Sequence, residues 1–290
     1  MKRRDILRGA LLAGAGLALL PGSLRASPRQ AGSDGAALEK RHGGKLGLCI
    51  LDTADGRTFQ WRADERFLLC STFKLLVVAQ VLARVDAGKE RLERRITFTR
   101  DDVLEWAPVT RRHVGAPGMS VEALCEAAMT ISDNTAANLL LEAVGGPAAV
   151  TAWLRHTGDP TTRLDRHEPE LNRPDGERDT TTPMAMLRDM QRLLLGDVLK
   201  PDSRARLVDW MRHNRTAAGN LVAGLPDDWT LGDKTGSGNT ANNDVAILWP
   251  PAGKPLLVAA YYSNPDLDTD ARKAVLADAG RLVARWHAAR

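Results

Sequence analysis

The chain has 290 residues, 43% apolar and 26% charged, the make-up of an ordinary globular protein with one large domain or two smaller ones. That composition excludes collagen-like, coiled-coil and disordered classes. The formal charge of +4 and a pI near 9.1 admit a nucleic-acid partner only if the basic side chains gather on one face.

The first element reads as an address. Lys2, Arg3, Arg4 and Arg8 precede an uncharged run from Ala10 to Leu20, and small residues surround Ala26. A basic head, a short apolar run and a small-residue cleavage site predict a secretory signal over 1–26, cut between Ala26 and Ala31. The eleven-residue run falls short of the roughly 20 residues that span a bilayer. Arg3-Arg4 ahead of Ile6-Leu7 resembles a twin-arginine signal, the export route of folded proteins. Removing residues 1–26 takes five of the 40 basic and one of the 36 acidic side chains, leaving 35 of each. The positive excess therefore belongs to the leader. A mature protein without a membrane span, exported to the periplasm or beyond and binding no nucleic acid, is expected.

Strands are expected over 45–51 and 57–62, joined by a hairpin turn at Asp55-Gly56. From Ser71 to Val85 the pattern becomes helical with no polar stripe, so this helix should be buried all round. Helices follow over 121–129 and 135–144, the second closed by Gly145-Gly146, and over 148–156, 183–195 and 203–213. Strand patterns resume at 229–234, 244–249 and 256–262, and an amphipathic helix runs from Thr269 to Trp286. This order predicts an α/β fold: an antiparallel sheet flanked by helices, with an all-helical domain inserted in the chain. The sheet domain would comprise 32–66 and 214–290 and the helical domain 67–213, with the site at their interface.

Four short motifs carry chemistry. Ser71-Thr72-Phe73-Lys74 opens the buried helix, and residues three apart share a helix face. Read structurally, Ser71 is a cap and Lys74 a snorkelling side chain. Read chemically, Ser71 is a nucleophile, Lys74 the group beside it, and the helix N-terminus presents N–H groups to an oxyanion. A lysine between Phe73 and Leu75 is costly unless paired, which favours the chemical reading. Ser132-Asp133-Asn134 lies in a helix break and suits either a cap or a proton relay with an amide holder. Lys234-Thr235-Gly236-Ser237 ends a strand. It offers a cation, two hydroxyls and a close backbone approach to an anionic ligand, or else a hairpin turn. In the polar stretch around 166–179, Glu168 is a candidate general base with Asn172 beside it, and Arg166 could close the loop on Asp179. The six histidines form no metal-binding spacing, and Cys49, Cys70 and Cys125 match no zinc pattern, so neither a metal nor another cofactor is expected.

Taken in this order, with Glu-Pro-Glu-Leu-Asn at 168–172 and Glu-Arg-Asp-Thr-Thr-Thr-Pro at 177–183, the motifs resemble those of the class A serine β-lactamases over roughly residues 32–290. The resemblance implies a monomer that hydrolyses penicillins and cephalosporins through an acyl-enzyme and so confers resistance. It implies attack by Ser71, an oxyanion hole of the Ser71 and Ser237 N–H groups, and acylation assisted by Lys74 or Glu168. Glu168 with Asn172 would activate the hydrolytic water, and Ser132 would protonate the lactam nitrogen. Lys234, Thr235, Gly236 and Ser237 would hold the substrate carboxylate, Asn134 its side-chain amide, and Trp106 would stand at the mouth. A D-alanyl-D-alanine peptidase or an acylated sensor shares the serine–lysine pair, but only a hydrolase needs Glu168 and Asn172.

Several positions depart from that pattern. Val78 stands where a disulfide partner of Cys125 would be, and Gly238 where a partner of Cys70 would be, so neither bridge is expected. The arginine of the strand after Lys-Thr-Gly is missing and position 220 is Asn220, which leaves Arg272 or Lys273 to compensate. The segment from Asn172 to Asp179 is two residues shorter than usual, and the resemblance implies a cis Glu168–Pro169 bond.

Overall fold

The computed structural model describes residues 28–289. The leader at 1–26 lies outside the described residues.

Around Asp55-Gly56 the chain reverses as expected: Gly56 has φ +77°, and its N–H donates to the Asp52 carbonyl at 2.9 Å. The turn joins β1 (Lys45–Asp52) to β2 (Thr58–Trp61). With β3 (Thr230–Ser237), β4 (Ala241–Trp249) and β5 (Leu256–Ser263) they form an antiparallel sheet in the order β2-β1-β5-β4-β3.

Both faces of the sheet are covered, which is why its strands read as almost unbroken apolar runs. Leu46, Leu48 and Ile50 of β1 pack with Val258 and Tyr262 of β5 and with Val275, Leu276 and Val283 of α8 (Thr269–Ala288). Cys49, Leu51, Ala259 and Tyr261 face the other way, into a core continuous with the helical middle of the chain. That middle comprises α2 (Phe73–Asp86), α3 (Val121–Thr130), α4 (Asn134–Val144), α5 (Pro147–His156), α6 (Pro183–Met190) and α7 (Pro201–Arg212). All residues of α2 from Phe73 to Leu82 are buried, as its missing polar stripe predicted.

Three elements differ from the sequence reading. An additional helix, α1 (Pro28–His42), precedes β1; its sequence carries one large apolar residue, Leu38, too faint a stripe to register. It is held instead by charge: Glu39 receives Arg62 Nε at 2.7 Å and Nη2 at 2.9 Å. The helix expected over 183–195 is α-helical only to Met190 and continues as a π turn over Gln191–Leu195. Strand β4 begins three residues early, at Ala241, because Asn242, Asn243 and Asp244 resemble a turn but bond inside the protein. Asn243 Nδ2 donates to the Leu68 and Leu69 carbonyls, and Asp244 Oδ2 receives the Leu221 N–H. Among the described residues no single helix is long and apolar enough to cross a membrane.

Candidate active site

Ser71 sits on a tight turn that is tied down from several sides. A 3-10 turn, Cys70–Thr72, precedes α2, and Cys70 takes a left-handed backbone with φ +42°. The Leu69 N–H donates to the Asp179 carbonyl at 2.8 Å, and the Leu69 carbonyl accepts from Thr72 Oγ1 at 2.6 Å and Asn243 Nδ2 at 3.1 Å. Strand β3 presses against this turn. A side chain on Gly236 would come within 3.1 Å of both Cys70 Cβ and the Leu69 carbonyl, so that glycine answers to packing as well as to ligand access.

Ser71 is not a helix cap: Thr72 holds that position, without a side-chain bond. Its hydroxyl oxygen lies 3.0 Å from Lys74 Nζ and 3.3 Å from Glu168 Oε1. Lys74 is fully buried. Its amine also reaches the Ser132 carbonyl at 2.8 Å, Ser132 Oγ at 3.1 Å, Asn134 Oδ1 at 2.6 Å and Glu168 Oε1 at 3.3 Å. Burial prevails, holding Lys74 below the usual lysine range despite the opposing carboxylate.

The break between α3 and α4 holds a cap and, beside it, a hydroxyl facing the lysines. Asp133 caps α4 through the Ala136 N–H at 2.9 Å and receives the Val109 and Thr110 N–H groups at 3.0 Å. Ser132, at φ +60°, turns its hydroxyl between two lysines, 3.1 Å from Lys74 Nζ and 3.1 Å from Lys234 Nζ. Asn134 meets Lys74, and Trp106, 54% exposed at the rim, is fixed by its indole N–H to the Ile131 carbonyl at 3.1 Å.

Lys234, Thr235, Gly236 and Ser237 lie on β3 itself, so the hairpin turn begins only after them. Burial and the nearby Lys74 push fully buried Lys234 down to about 7. Behind it, burial and the facing Asp233 carboxylate hold Asp244 well above the usual carboxylate range.

Glu168 is 2% exposed. Its Oε2 accepts from Asn172 Nδ2 at 2.6 Å, while the buried Asn172 Oδ1 has no protein partner. The Glu168–Pro169 bond is cis. Arg166 closes the loop on buried Asp179, Nε to Oδ2 at 2.6 Å, and Asp179 Oδ1 receives the Asp165 and Arg166 N–H groups. Cys49, Cys70 and Cys125 are free and buried, and burial pushes the Cys70 thiol up to about 12.

Ser71, Trp106, Ser132, Asn134, Glu168, Asn172, Thr235, Gly236 and Ser237 line a cavity of about 790 Å3, room for a small bicyclic ligand. Of the two cations offered as replacements for the missing strand arginine, only Lys273 lines it. Arg272 is buried and committed, Nε to Asn242 Oδ1 at 3.0 Å and Nη2 to the Gly238 carbonyl at 3.1 Å. Arg215 and Thr216 also line the cavity; nothing in their neighbourhood marks them, because 214–220 follows no helix or strand period. Asn138, which holds the Glu168 backbone, was hidden for another reason: it is an unremarkable polar residue inside α4. Among the described residues no group of three His, Cys, Asp or Glu side chains is placed to hold a metal.

A family model described as the beta-lactamase enzyme family matches residues 33–286. The chain is 42% identical to beta-lactamase OXY-2 of Klebsiella oxytoca, over 94% of this chain and 95% of that protein. It is 48% identical to beta-lactamase L2 of Stenotrophomonas maltophilia, over 88% and 85% respectively. Among solved structures, an ancestral (GNCA) class A beta-lactamase superposes with a TM-score of 0.86 at 57% identity, covering 89% of this chain and all of that one. A beta lactamase from Burkholderia vietnamiensis gives 0.87 at 49% identity, covering 89% and 97%.

Proposed function

The chain belongs to the class A serine β-lactamases, which hydrolyse the β-lactam ring, and we propose that Ser71 is the nucleophile of that reaction. Its hydroxyl attacks the lactam carbonyl carbon, and Lys74 or Glu168 takes the proton. The observation that carries this reading is the position of Ser71 Oγ, 3.0 Å from Lys74 Nζ and 3.3 Å from Glu168 Oε1. Burial, which lowers the Lys74 pKa, moves the amine toward the proton-accepting form a base needs.

The oxyanion then faces the N–H groups of Ser71, in the first helical turn, and Ser237, at the end of β3. Ser132, between the two lysines, delivers a proton to the lactam nitrogen as the C–N bond breaks and is reprotonated through Lys74, 3.1 Å away, by the proton taken from Ser71. That leaves Ser71 acylated. A water held by Glu168 and Asn172 gives its proton to Glu168 as its oxygen attacks the ester carbonyl carbon, and that proton passes on to the departing Ser71 oxygen as the ester C–O bond breaks, which frees Ser71 and restores the Glu168 carboxylate. The unpaired Asn172 Oδ1 supports that water's place. Lys234, Thr235, Gly236 and Ser237 seat the substrate carboxylate, Asn134 the amide of its side chain, and Trp106 the rim. The Arg166–Asp179 pair keeps the Glu168 loop in position.

Penicillins and early cephalosporins are the proposed substrates, and resistance to them the consequence. The proposed domains, 32–66 with 214–290 against 67–213, put the site on their seam. Its residues come from both, which supports that division. Residues 1–26 are proposed to send the protein to the periplasm by the twin-arginine route. The working unit is proposed to be a monomer, since one chain supplies every catalytic group.

Turnover of a chromogenic cephalosporin tests the nucleophile. Ser71→Ala should lose at least about a thousandfold in kcat. Near-normal rates in that variant would reject Ser71.

A further inference from the structure

We propose that Arg215 sorts substrates by charge, favouring cephalosporins with an anionic C3 substituent over those with a cationic one. This rests on the reading that Lys234, Thr235 and Ser237 seat the ring carboxylate.

The backbone around Arg215 is pinned while its side chain is not. The Arg215 N–H donates to the Thr130 carbonyl at 2.8 Å, and Asn214 Nδ2 donates to Asp233 Oδ1 at 2.9 Å. On the other side, Thr216 Oγ1 is hydrogen-bonded to Thr235 Oγ1. Arg215 is therefore anchored one residue from a direct contact with the carboxylate-seating strand. It is exposed, it lines the cavity, and its guanidinium makes no hydrogen bond or ion pair with any described residue. Most arginines near this site are committed to a carboxylate or a carbonyl, as Arg166 and Arg272 are.

Charge at this end of the cavity is one-sided. Lys273 also lines it, paired at 3.1 Å with Asp270, whose carboxylate is 91% exposed and so well screened. Among the lining residues Glu168 is the only acid, and it belongs to the serine.

Substrate chemistry supplies the other half. In a cephalosporin the carboxylate is carried on C4 and the variable substituent on the adjacent C3. A carboxylate seated at Thr235 and Ser237 therefore brings the C3 group to the Arg215 end of the cavity, while the acylamido side chain points toward Asn134 and Asn172. A second negative charge there meets an uncompensated guanidinium, and a positive charge meets repulsion.

The test uses the mature enzyme and three cephalosporins with one acylamido group and a neutral, a sulfonate-bearing or a pyridinium C3 substituent. For solvent-facing charges several ångströms apart, Arg215→Gln should lower the anionic-to-cationic ratio of kcat/KM by about five- to tenfold. The change should fall mainly in KM, because the substituent charge is felt alike in ground and transition states. Arg215→Lys should keep most of the ratio, and roughly 1 M salt should narrow it in the unmodified enzyme. A ratio that moves less than about twofold, or an equal loss on all three substrates, would overturn the proposal. The first result would place the guanidinium against Glu126 in the neighbouring recess that Arg215 also borders. Lys234→Ala in the same assay keeps the two readings apart: a raised KM on all three substrates supports the carboxylate seat, and an unchanged KM rejects it whatever Arg215 does.

Discussion

Asn138 grips Glu168 by the backbone and leaves its carboxylate free: the Asn138 amide receives the Glu168 N–H at 3.0 Å and donates to the Glu168 carbonyl at 3.0 Å. One side chain on a rigid helix thus fixes a residue in a loop that has little regular structure of its own. The carboxylate remains available to Ser71, Lys74 and Asn172.

Asn138→Ala removes both partners from the main chain of Glu168, a buried residue. Unfolding by urea should show a loss of about 1–3 kcal/mol. Single-turnover kinetics with a penicillin should show deacylation slowed more than acylation, since Glu168 is the group displaced. Equal slowing of both steps would contradict a role confined to holding Glu168.

The Asp179 carboxylate accepts from Arg166 and from two backbone N–H groups, and its carbonyl holds the Leu69 N–H two residues before Ser71. Asp179→Ala removes the acceptor of the Asp165 and Arg166 N–H groups and of Arg166 Nε, all of them partly buried. Because Arg166 retains 21% of its side-chain exposure, the loss should fall near the low end for a broken buried pair, about 3 kcal/mol. Limited proteolysis should then cut within 165–179. A variant with unchanged Tm and no new cleavage would show that the pair does not hold the loop.

Lys234 must be an ammonium to attract a carboxylate, yet burial and Lys74 bring it down to about 7 in the free enzyme. The cation is present below that pH and is lost above it, so kcat/KM for carboxylate-bearing substrates should fall as pH rises through about 7. A bound carboxylate favours the charged form, which moves the limb in kcat to higher pH. Lys234→Arg stays charged and should shift the kcat/KM limb upward. An unshifted limb in that variant would assign it to another group.

Much of this arrangement was legible before any coordinates, and the part that was not has a physical reason. Helix α2 announced itself because an apolar run interrupted only by Lys74 and Gln80 must be buried, and a buried lysine beside a serine needs a use. The Ser132-Asp133-Asn134 motif offered a cap or a relay: Asp133 is the cap, while Ser132, which faces the lysines, is the proposed relay. The polar opening of β4 misled because hydrophobic patterning cannot anticipate that Asn243 will bond the turn before Ser71. Arg272 and Lys273 could not be ranked in sequence. They are neighbours on one helix, and only the fold decides which faces the cavity and which is buried. Asn138, Arg215 and Thr216 act through long-range contacts and belong to no short motif, so nothing local marks them.

The division of the reaction into acylation by Ser71 and water attack through Glu168 can be tested by one trapping measurement. Glu168→Ala is mixed with a good penicillin, and intact mass and peptide mass are followed over time. The expected result is one equivalent of penicillin added to Ser71, persisting at least about a hundredfold longer than in the unmodified enzyme, the scale of losing a general base. Deacylation at the unmodified rate, or an adduct on any residue other than Ser71, would contradict it.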